Sequence, residues 1–283
     1  MNIQWFPGHM TKARRMITEN LKLIDAVCEV TDARIPVSSR NPDLDEIAPG
    51  KPRIIIFNRT DQADLTSTKK WVAYYKKDGI AVLETDSKSG KGVNGLNTTI
   101  RSLLFEKIEQ YKSKGQQGKQ LRLMVVGIPN VGKSSFINRV AKRKAAMTSD
   151  RPGVTKGKQW INIGNGLELL DTPGVLWPKF EDRTVAENLA FTGAIRDAIM
   201  DIEQLGALLL SRLKSEYPDR LIERYKINIE SDTTGFDLLE TIAKKRGFLL
   251  HGGDYDLERT AIIILDEFRG GKLGRITLEN VGD

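Results

Sequence analysis

The stretch Leu121-Arg-Leu-Met-Val-Val-Gly127-Ile-Pro-Asn-Val-Gly132-Lys133-Ser134-Ser135-Phe-Ile-Asn-Arg139 decides the fold. An apolar run, Leu121–Val126, ends at a glycine, and a helical pattern opens again at Ser135–Ala141. Strand, glycine-rich loop and helix in that order are the context in which Gly-x-x-x-x-Gly-Lys-Ser acts as a phosphate cradle. Glycines let successive N–H groups turn inward around phosphate oxygens, and the helix N-terminus adds its positive end. Lys133 is placed to reach the β- and γ-phosphates, and the Ser134 hydroxyl to bind Mg²⁺. Asn130, Val131, Gly132 and Ser135 complete the cradle.

Working outward, Leu167-Glu-Leu-Leu170 runs into Asp171-Thr-Pro-Gly174, 37 residues after Ser134. Behind a strand, Asp171 is expected to hold the Mg²⁺ hydration shell, and the Gly174 N–H to reach the γ-phosphate. Between the two motifs lies Arg151-Pro-Gly-Val-Thr155-Lys-Gly-Lys158. A threonine in such a loop closes over Mg²⁺ and the γ-phosphate and so senses the nucleotide. Thr155 is the first choice and Thr148 its competitor.

Upstream, Arg53-Ile-Ile-Ile-Phe57 ends at Asn58-Arg59-Thr60-Asp61, and Ile80–Leu83 leads to Thr85-Asp86-Ser87-Lys88. A guanine base needs an acceptor for its N1–H and N2–H₂ and a donor toward O6. Asp61 supplies the first, and Asn58 is expected to brace the neighbouring loop. The backbone N–H groups of Asp86, Ser87 and Lys88 supply the second, with the Lys88 stem covering the base.

All these turn-rich segments follow short apolar runs, as Thr31-Asp-Ala-Arg34 follows the run Leu23–Val30, and helix-length stretches such as 62–78 and 92–109 separate most of them, with 9–22 read as a helix ahead of the first. Alternation of this kind predicts an open, mostly parallel α/β sheet whose ligands bind at the carboxyl ends of the strands. The polar, glycine-rich segment 110–120 reads as an exposed linker between two halves of that sheet. After about residue 178 the strand pattern gives way to helices at Leu205–Leu213, Leu238–Ala243 and Thr260–Phe268. The expected division is an α/β nucleotide domain, 1–178, and an all-helical C-terminal domain, 179–283.

Composition narrows the function classes. Residues 179–283 hold 15 Lys and Arg against 20 Asp and Glu, net −5, so residues 1–178 (29 against 17) carry +12. A basic surface fits a phosphate-rich partner such as nucleic acid. The stretch Arg139–Lys158, with seven Lys and Arg and one Asp, is the best electrostatic candidate. One cysteine, Cys28, excludes an internal disulfide, and with two histidines it argues against structural zinc. No disulfide-linked partner is expected. No run is long enough to span a bilayer, and the N-terminus does not read as a signal peptide, so a cytoplasmic setting without membrane contact is expected.

The set of motifs resembles the translation-factor-type GTPases, whose guanine motifs read Asn-Lys-x-Asp and Ser-Ala-Lys. In the ordinary order both follow Asp-x-x-Gly; here both precede the P-loop, so the order is circularly permuted. With Trp5-Phe-Pro-Gly-His9-Met10 at the start, the whole chain resembles the YlqF-type permuted GTPases, the ribosome biogenesis GTPase A group. The resemblance implies a P-loop GTPase fold and hydrolysis of GTP to GDP and phosphate. It implies GTP-dependent binding to a precursor of the large (50S) ribosomal subunit, with release on hydrolysis, and contact of the helical domain with rRNA. Arg59 stands where the family has lysine, and Asp86-Ser87 where it has Ser-Ala.

A glutamine soon after Asp-x-x-Gly orients water in Ras-like enzymes. Val175-Leu176-Trp177 offers none, and the resemblance points to His9 as the group that orients or deprotonates water. Asn130 resembles the asparagine that holds K⁺ in cation-stimulated GTPases. Rival readings are a P-loop ATPase or small-molecule kinase, which leaves Asp61 unused, and an RNA-binding module, which leaves Lys133, Ser134 and Asp171 unused. A permuted GTPase acting on the small subunit or on tRNA shares all of this chemistry.

Overall fold

Six strands form a single sheet in the spatial order β3-β2-β1-β4-β6-β5. They are β1 (Ala26–Asp32), β2 (Arg53–Asn58), β3 (Ala81–Glu84), β4 (Leu121–Val126), β5 (Trp160–Gly164) and β6 (Leu167–Asp171). Every pairing is parallel except β5 with β6. The computed structural model describes the backbone of residues 7–141, 160–172, 174 and 182–282, with side chains from Arg14 onward. Helices α1 (Pro7–Asn20), α2 (Asp43–Ile47), α3 (Leu65–Lys77), α4 (Leu96–Leu103), α5 (Phe105–Ser113) and α6 (Lys133–Ala141) accompany the sheet.

The central strands read as near-continuous apolar runs because both of their faces are covered. In β2, Ile54, Ile55, Ile56 and Phe57 are all fully buried. Each such side chain contributes about 1.5–3 kcal/mol relative to exposure. Ile55 and Phe57 pack with Trp71, Val72 and Tyr75 of α3. Val27, Met124, Val126 and Leu170 pack with Ile17 of α1 and Leu44 of α2. Alternate residues Cys28, Ile54 and Val125 are buried on the other face.

β1 and β4 lie side by side at the centre although 88 residues separate the end of one from the start of the other. Counted from β4, the motifs run P-loop, Asp-x-x-Gly, Asn-x-x-Asp, Asp-Ser-Lys, so one cyclic shift of the chain restores the ordinary order. The sheet, its helices and the permutation match the class expected from sequence.

Three local readings change. The run expected as a strand at Leu23–Val30 begins with a 3₁₀ turn, Leu21–Leu23, and the strand itself starts at Ala26. The helix expected over 92–109 breaks at Leu104 into α4 and α5. The stretch expected as a linker over 110–120 is helical to Ser113. Tyr111 explains that extension: its hydroxyl donates to Asp25 Oδ1 at 2.9 Å, beside the Lys107 ammonium at 2.6 Å. Arg122 N–H donates to the other Asp25 oxygen at 2.8 Å, so one carboxylate ties α5 to the starts of β1 and β4. Burial opposes ionisation of Asp25, but these partners outweigh it and hold the carboxyl below its ordinary value.

The chain forms two compact units, Met1–Glu181 with Thr277–Asp283, and Asp182–Ile276. The second contains α7 (Arg183–Phe191), α8 (Ile202–Glu216), α9 (Pro218–Tyr225), α10 (Gly235–Arg246) and α11 (Leu257–Arg269). Its core is built on Leu205, Leu209, Leu210 and Leu213 of α8, all fully buried, with α10 and α11 packed against that helix. Local chemistry sets its helix starts. Asp182, Asp201 and Asp256 accept N-terminal N–H groups, and Thr234 with Asp237 forms a capping box. Glu267 of α11 accepts from Arg224 and from the Tyr225 hydroxyl, joining α9 to α11.

Candidate functional site

The P-loop leaves β4 at Val126 and enters α6 at Lys133. Two of its residues have left-handed backbone, Asn130 (φ 64°) and Gly132 (φ 89°). A Cβ on Gly132 would stand 2.3 Å from Asn58 Nδ2, so the position excludes any side chain. At Gly174 the atoms nearest a would-be Cβ are Pro129 N and Cα, at 3.2 and 3.3 Å, which places Gly174 against the P-loop.

Lys133 is buried, and its ammonium pairs with the Asp171 carboxylate at the end of β6. Asp171 pairs in register with Val125, one residue before the end of β4. The exposed hydroxyls of Ser134 and Ser135 begin α6. Ser134 and Asp171 are hard oxygen donors, the kind Mg²⁺ takes. Among the described residues no group of three or more His, Cys, Asp or Glu comes together, so a metal here would complete its shell with water and phosphate oxygens.

Asn58, at the end of β2, is 2 % exposed and joins three loops. Its Nδ2 donates to the Val131 carbonyl at 2.8 Å. Its Oδ1 accepts from Ser87 N–H at 3.0 Å and from the hydroxyls of Ser87 (2.7 Å) and Thr85 (3.3 Å). Asn58 therefore braces the P-loop and the Asp86–Lys88 loop against each other. Thr60 donates its hydroxyl to the Thr85 carbonyl at 3.0 Å. Asp61 is exposed one residue further on, and Lys88 is exposed on the facing loop.

Arg59 has left-handed backbone (φ 60°), and its Nη2 donates to the Asn130 carbonyl at 2.8 Å. Its Nε stands 3.7 Å from Asp32 Oδ2. Asp32 ends β1 fully buried, gripped by Arg34 through Nε–Oδ1 (3.0 Å) and Nη2–Oδ2 (2.7 Å). Burial opposes ionisation of Asp32, but Arg34 and Arg59 outweigh it and hold the carboxyl below the usual carboxylate range. Arginine at position 59 thus spans two anchors with one planar fork.

In the Asp86–Lys88 loop each of the three N–H groups expected to face guanine O6 has a partner inside the protein. Asp86 N–H donates to the Lys91 carbonyl (2.9 Å), Ser87 N–H to Asn58, and Lys88 N–H to Asp86 Oδ1 (2.8 Å). The Asp86 carboxylate, with no counterpart in a Ser-Ala-Lys loop, folds the turn on itself in the way aspartate does. Hydrogen bonds from Ser89 and Lys88 outweigh the effect of burial and lower its pKa.

Arg139 differs from expectation too. Instead of standing with the basic stretch, its guanidinium donates to the carbonyls of Ser87 (3.1 Å) and Lys88. Residues 142–158 of that stretch, with Thr148 and Thr155, and the side chain of His9 lie outside the described residues; His9 itself falls in the first turn of α1.

Sequence reasoning passed over Asp32, Arg34 and Thr85. Both lie in Thr31-Asp-Ala-Arg34, which the sequence reads only as turn-rich. A charged pair at the end of a buried strand was the available signal, because buried charges are seldom left unpaired.

With this geometry in place, the chain was compared with known proteins. Residues 122–235 match the 50S ribosome-binding GTPase family. Ribosome biogenesis GTPase A of Priestia megaterium is 50% identical over 282 residues, covering 99% of this chain and 97% of that protein. Its counterpart from Thermotoga maritima is 31% identical over 281 residues, covering 99% and 95%. The GNP-bound crystal structure of YlqF from T. maritima superposes with a TM-score of 0.67 at 29% identity, covering 96% of this chain and 99% of that one. The GDP-bound structure of the same protein also gives 0.67, at 28% identity and 95% and 100% coverage.

Proposed function

The chain belongs to the ribosome biogenesis GTPase A family, and from that premise we propose that it binds the large (50S) subunit precursor in its GTP form and leaves after hydrolysis. That it hydrolyses GTP and serves ribosome biogenesis follows from the family itself. The observation that carries the finer reading is the convergence of P-loop, Asp171, Asn58 and Asp61 segments at the carboxyl ends of neighbouring strands. The matched family's description, 50S ribosome-binding GTPase, supplies the particle.

In this reading water attacks the γ-phosphorus, the bond to the β–γ bridging oxygen breaks, and the water proton passes to phosphate. Lys133 neutralises charge on the β- and γ-oxygens, a contribution that grows as the bridging bond breaks. Asp61 accepts from guanine N1–H and N2–H₂. Ser134, Asp171 (through water) and Thr155 would hold Mg²⁺, which supplies charge neutralisation and in-line geometry. Asn130 would hold K⁺; equal hydrolysis rates in Na⁺ and K⁺ would remove that assignment. His9 orients the attacking water. The basic residues of 142–158 and the helical unit contact rRNA. Among the described residues no helix is long and apolar enough to cross a membrane, and we place the protein in the cytoplasm, where its particle is assembled.

The test is GTP turnover with and without purified large subunits, for the wild type and for His9→Ala. Acceleration by the particle that His9→Ala abolishes is expected. Acceleration by small subunits or tRNA alone would move the target, and normal stimulated turnover by His9→Ala would remove the histidine.

A further inference from the structure

The last residues of the chain return to the α/β unit and close on the two segments that flank the base-recognition loop. Thr277 is fully buried, and its hydroxyl accepts the Asp64 N–H at 3.0 Å. Asp64 is three residues beyond Asp61 and caps α3 by accepting Ser67 N–H at 2.8 Å. Leu278 N–H donates to the Arg34 carbonyl at 2.8 Å. The Glu279 carboxylate accepts N–H groups of Val37 (2.6 Å) and Ser38 (3.0 Å) and the Ser38 hydroxyl. The Glu279 carbonyl accepts the Trp71 indole N–H of α3 at 2.9 Å. Three consecutive residues thus fasten the segment after β1 and the segment after β2.

Both fastened segments lead into the site. One route is short: Thr277 holds Asp64, and Asp64 fixes where the Asp61 loop meets α3. The other is a relay. Arg34 offers its carbonyl to the tail and its guanidinium to Asp32; Asp32 faces Arg59; Arg59 donates to the P-loop carbonyl of Asn130. A device that only sealed the core would use apolar contacts. This one places a buried hydroxyl, Thr277, on the backbone N–H three residues from Asp61, and a half-buried carboxylate, Glu279, on the segment after β1, and a buried polar group holds geometry because misplacing it is costly.

We propose that Thr277 and Glu279 are positioning residues for guanine recognition: the tail fixes the Asp61 loop and, through Arg34, Asp32 and Arg59, the P-loop. The proposal rests on Asp61 as the acceptor for the base. Its effect should therefore fall on base discrimination, not only on stability.

Dissociation of fluorescent GDP and IDP analogues from the full chain tests it, since hypoxanthine lacks the N2 amino group that Asp61 binds. Thr277→Val removes the acceptor and keeps the shape. The loss of one buried hydrogen bond, relayed to the loop, should raise the GDP off-rate about three- to tenfold and the IDP off-rate less, narrowing the GDP preference. Thr277→Ser, which restores the hydroxyl, should recover it. Should Thr277→Val not fold, Glu279→Gln carries the same expectation through Val37 and Ser38. A variant that melts earlier yet keeps the wild-type GDP off-rate and GDP/IDP ratio overturns the proposal. A wild type that does not prefer GDP to IDP overturns the Asp61 assignment, and the proposal with it.

Discussion

Asn58→Ala removes the side chain that ties the P-loop to the Asp86–Lys88 loop, and its cost can be worked from the groups it strands. The Nδ2 donor leaves the Val131 carbonyl without its partner, and the Oδ1 acceptor leaves the Ser87 N–H and hydroxyl without one. Val131 is 2 % and Ser87 5 % exposed, so none of these groups is bathed in water. The Thr85 hydroxyl retains an alternative at the Phe57 carbonyl (3.3 Å) and needs no new partner. Three stranded groups, the Val131 carbonyl and the Ser87 N–H and hydroxyl, cost about 1–3 kcal/mol each, and some water entry from the nucleotide side brings the total to about 3–5 kcal/mol. The assay is urea unfolding followed by tryptophan fluorescence, with and without GDP. The nucleotide-free stability should fall by that amount, and the extra stabilisation from GDP should shrink because the P-loop is no longer preorganised. A variant within about 0.5 kcal/mol of wild type, with unchanged GDP stabilisation, would refute the reasoning, since that is the range of a neutral surface change.

Gly132→Ala should abolish GDP binding in an equilibrium titration, because the new Cβ would meet Asn58 Nδ2 at 2.3 Å on a backbone of φ 89°; tight binding would contradict the loop geometry. Acid sensitivity should follow Asp32. Its folded pKa lies below the unfolded value of about 3.9, so the unfolded chain binds the extra proton, and the stability present above about pH 4 is lost as pH falls through the folded value. Urea unfolding between pH 3 and 7 should show Asp32→Asn less stable at neutral pH with a flatter acid limb. An acid limb identical to wild type would exclude Asp32 as a source.

The parts of this fold legible in sequence were those set by local pattern. Leu121–Val126 is a strand with the ends its apolar run implies, and the parallel sheet follows from apolar runs each ending in turn residues. β5 was not read because Trp160-Ile-Asn-Ile-Gly164 is a partly exposed edge strand without a continuous apolar run. α9 was passed over because it is only eight residues long, Pro218–Tyr225. At the site, Lys133, Asp171, Asn58 and Asp61 are marked by spacing. Asp32 reaches Arg59 across 27 residues, and the Thr277–Glu279 tail reaches Asp64 and Val37 across more than 200, contacts that no local pattern records.

The most direct test of the central claim is sedimentation of the purified protein with large ribosomal subunits in GDP, GTP and a non-hydrolysable GTP analogue. Co-sedimentation with the analogue is expected, with weaker retention in GTP as it is consumed and release in GDP. Binding that ignores the nucleotide, or no binding to the large subunit in any state, would contradict it.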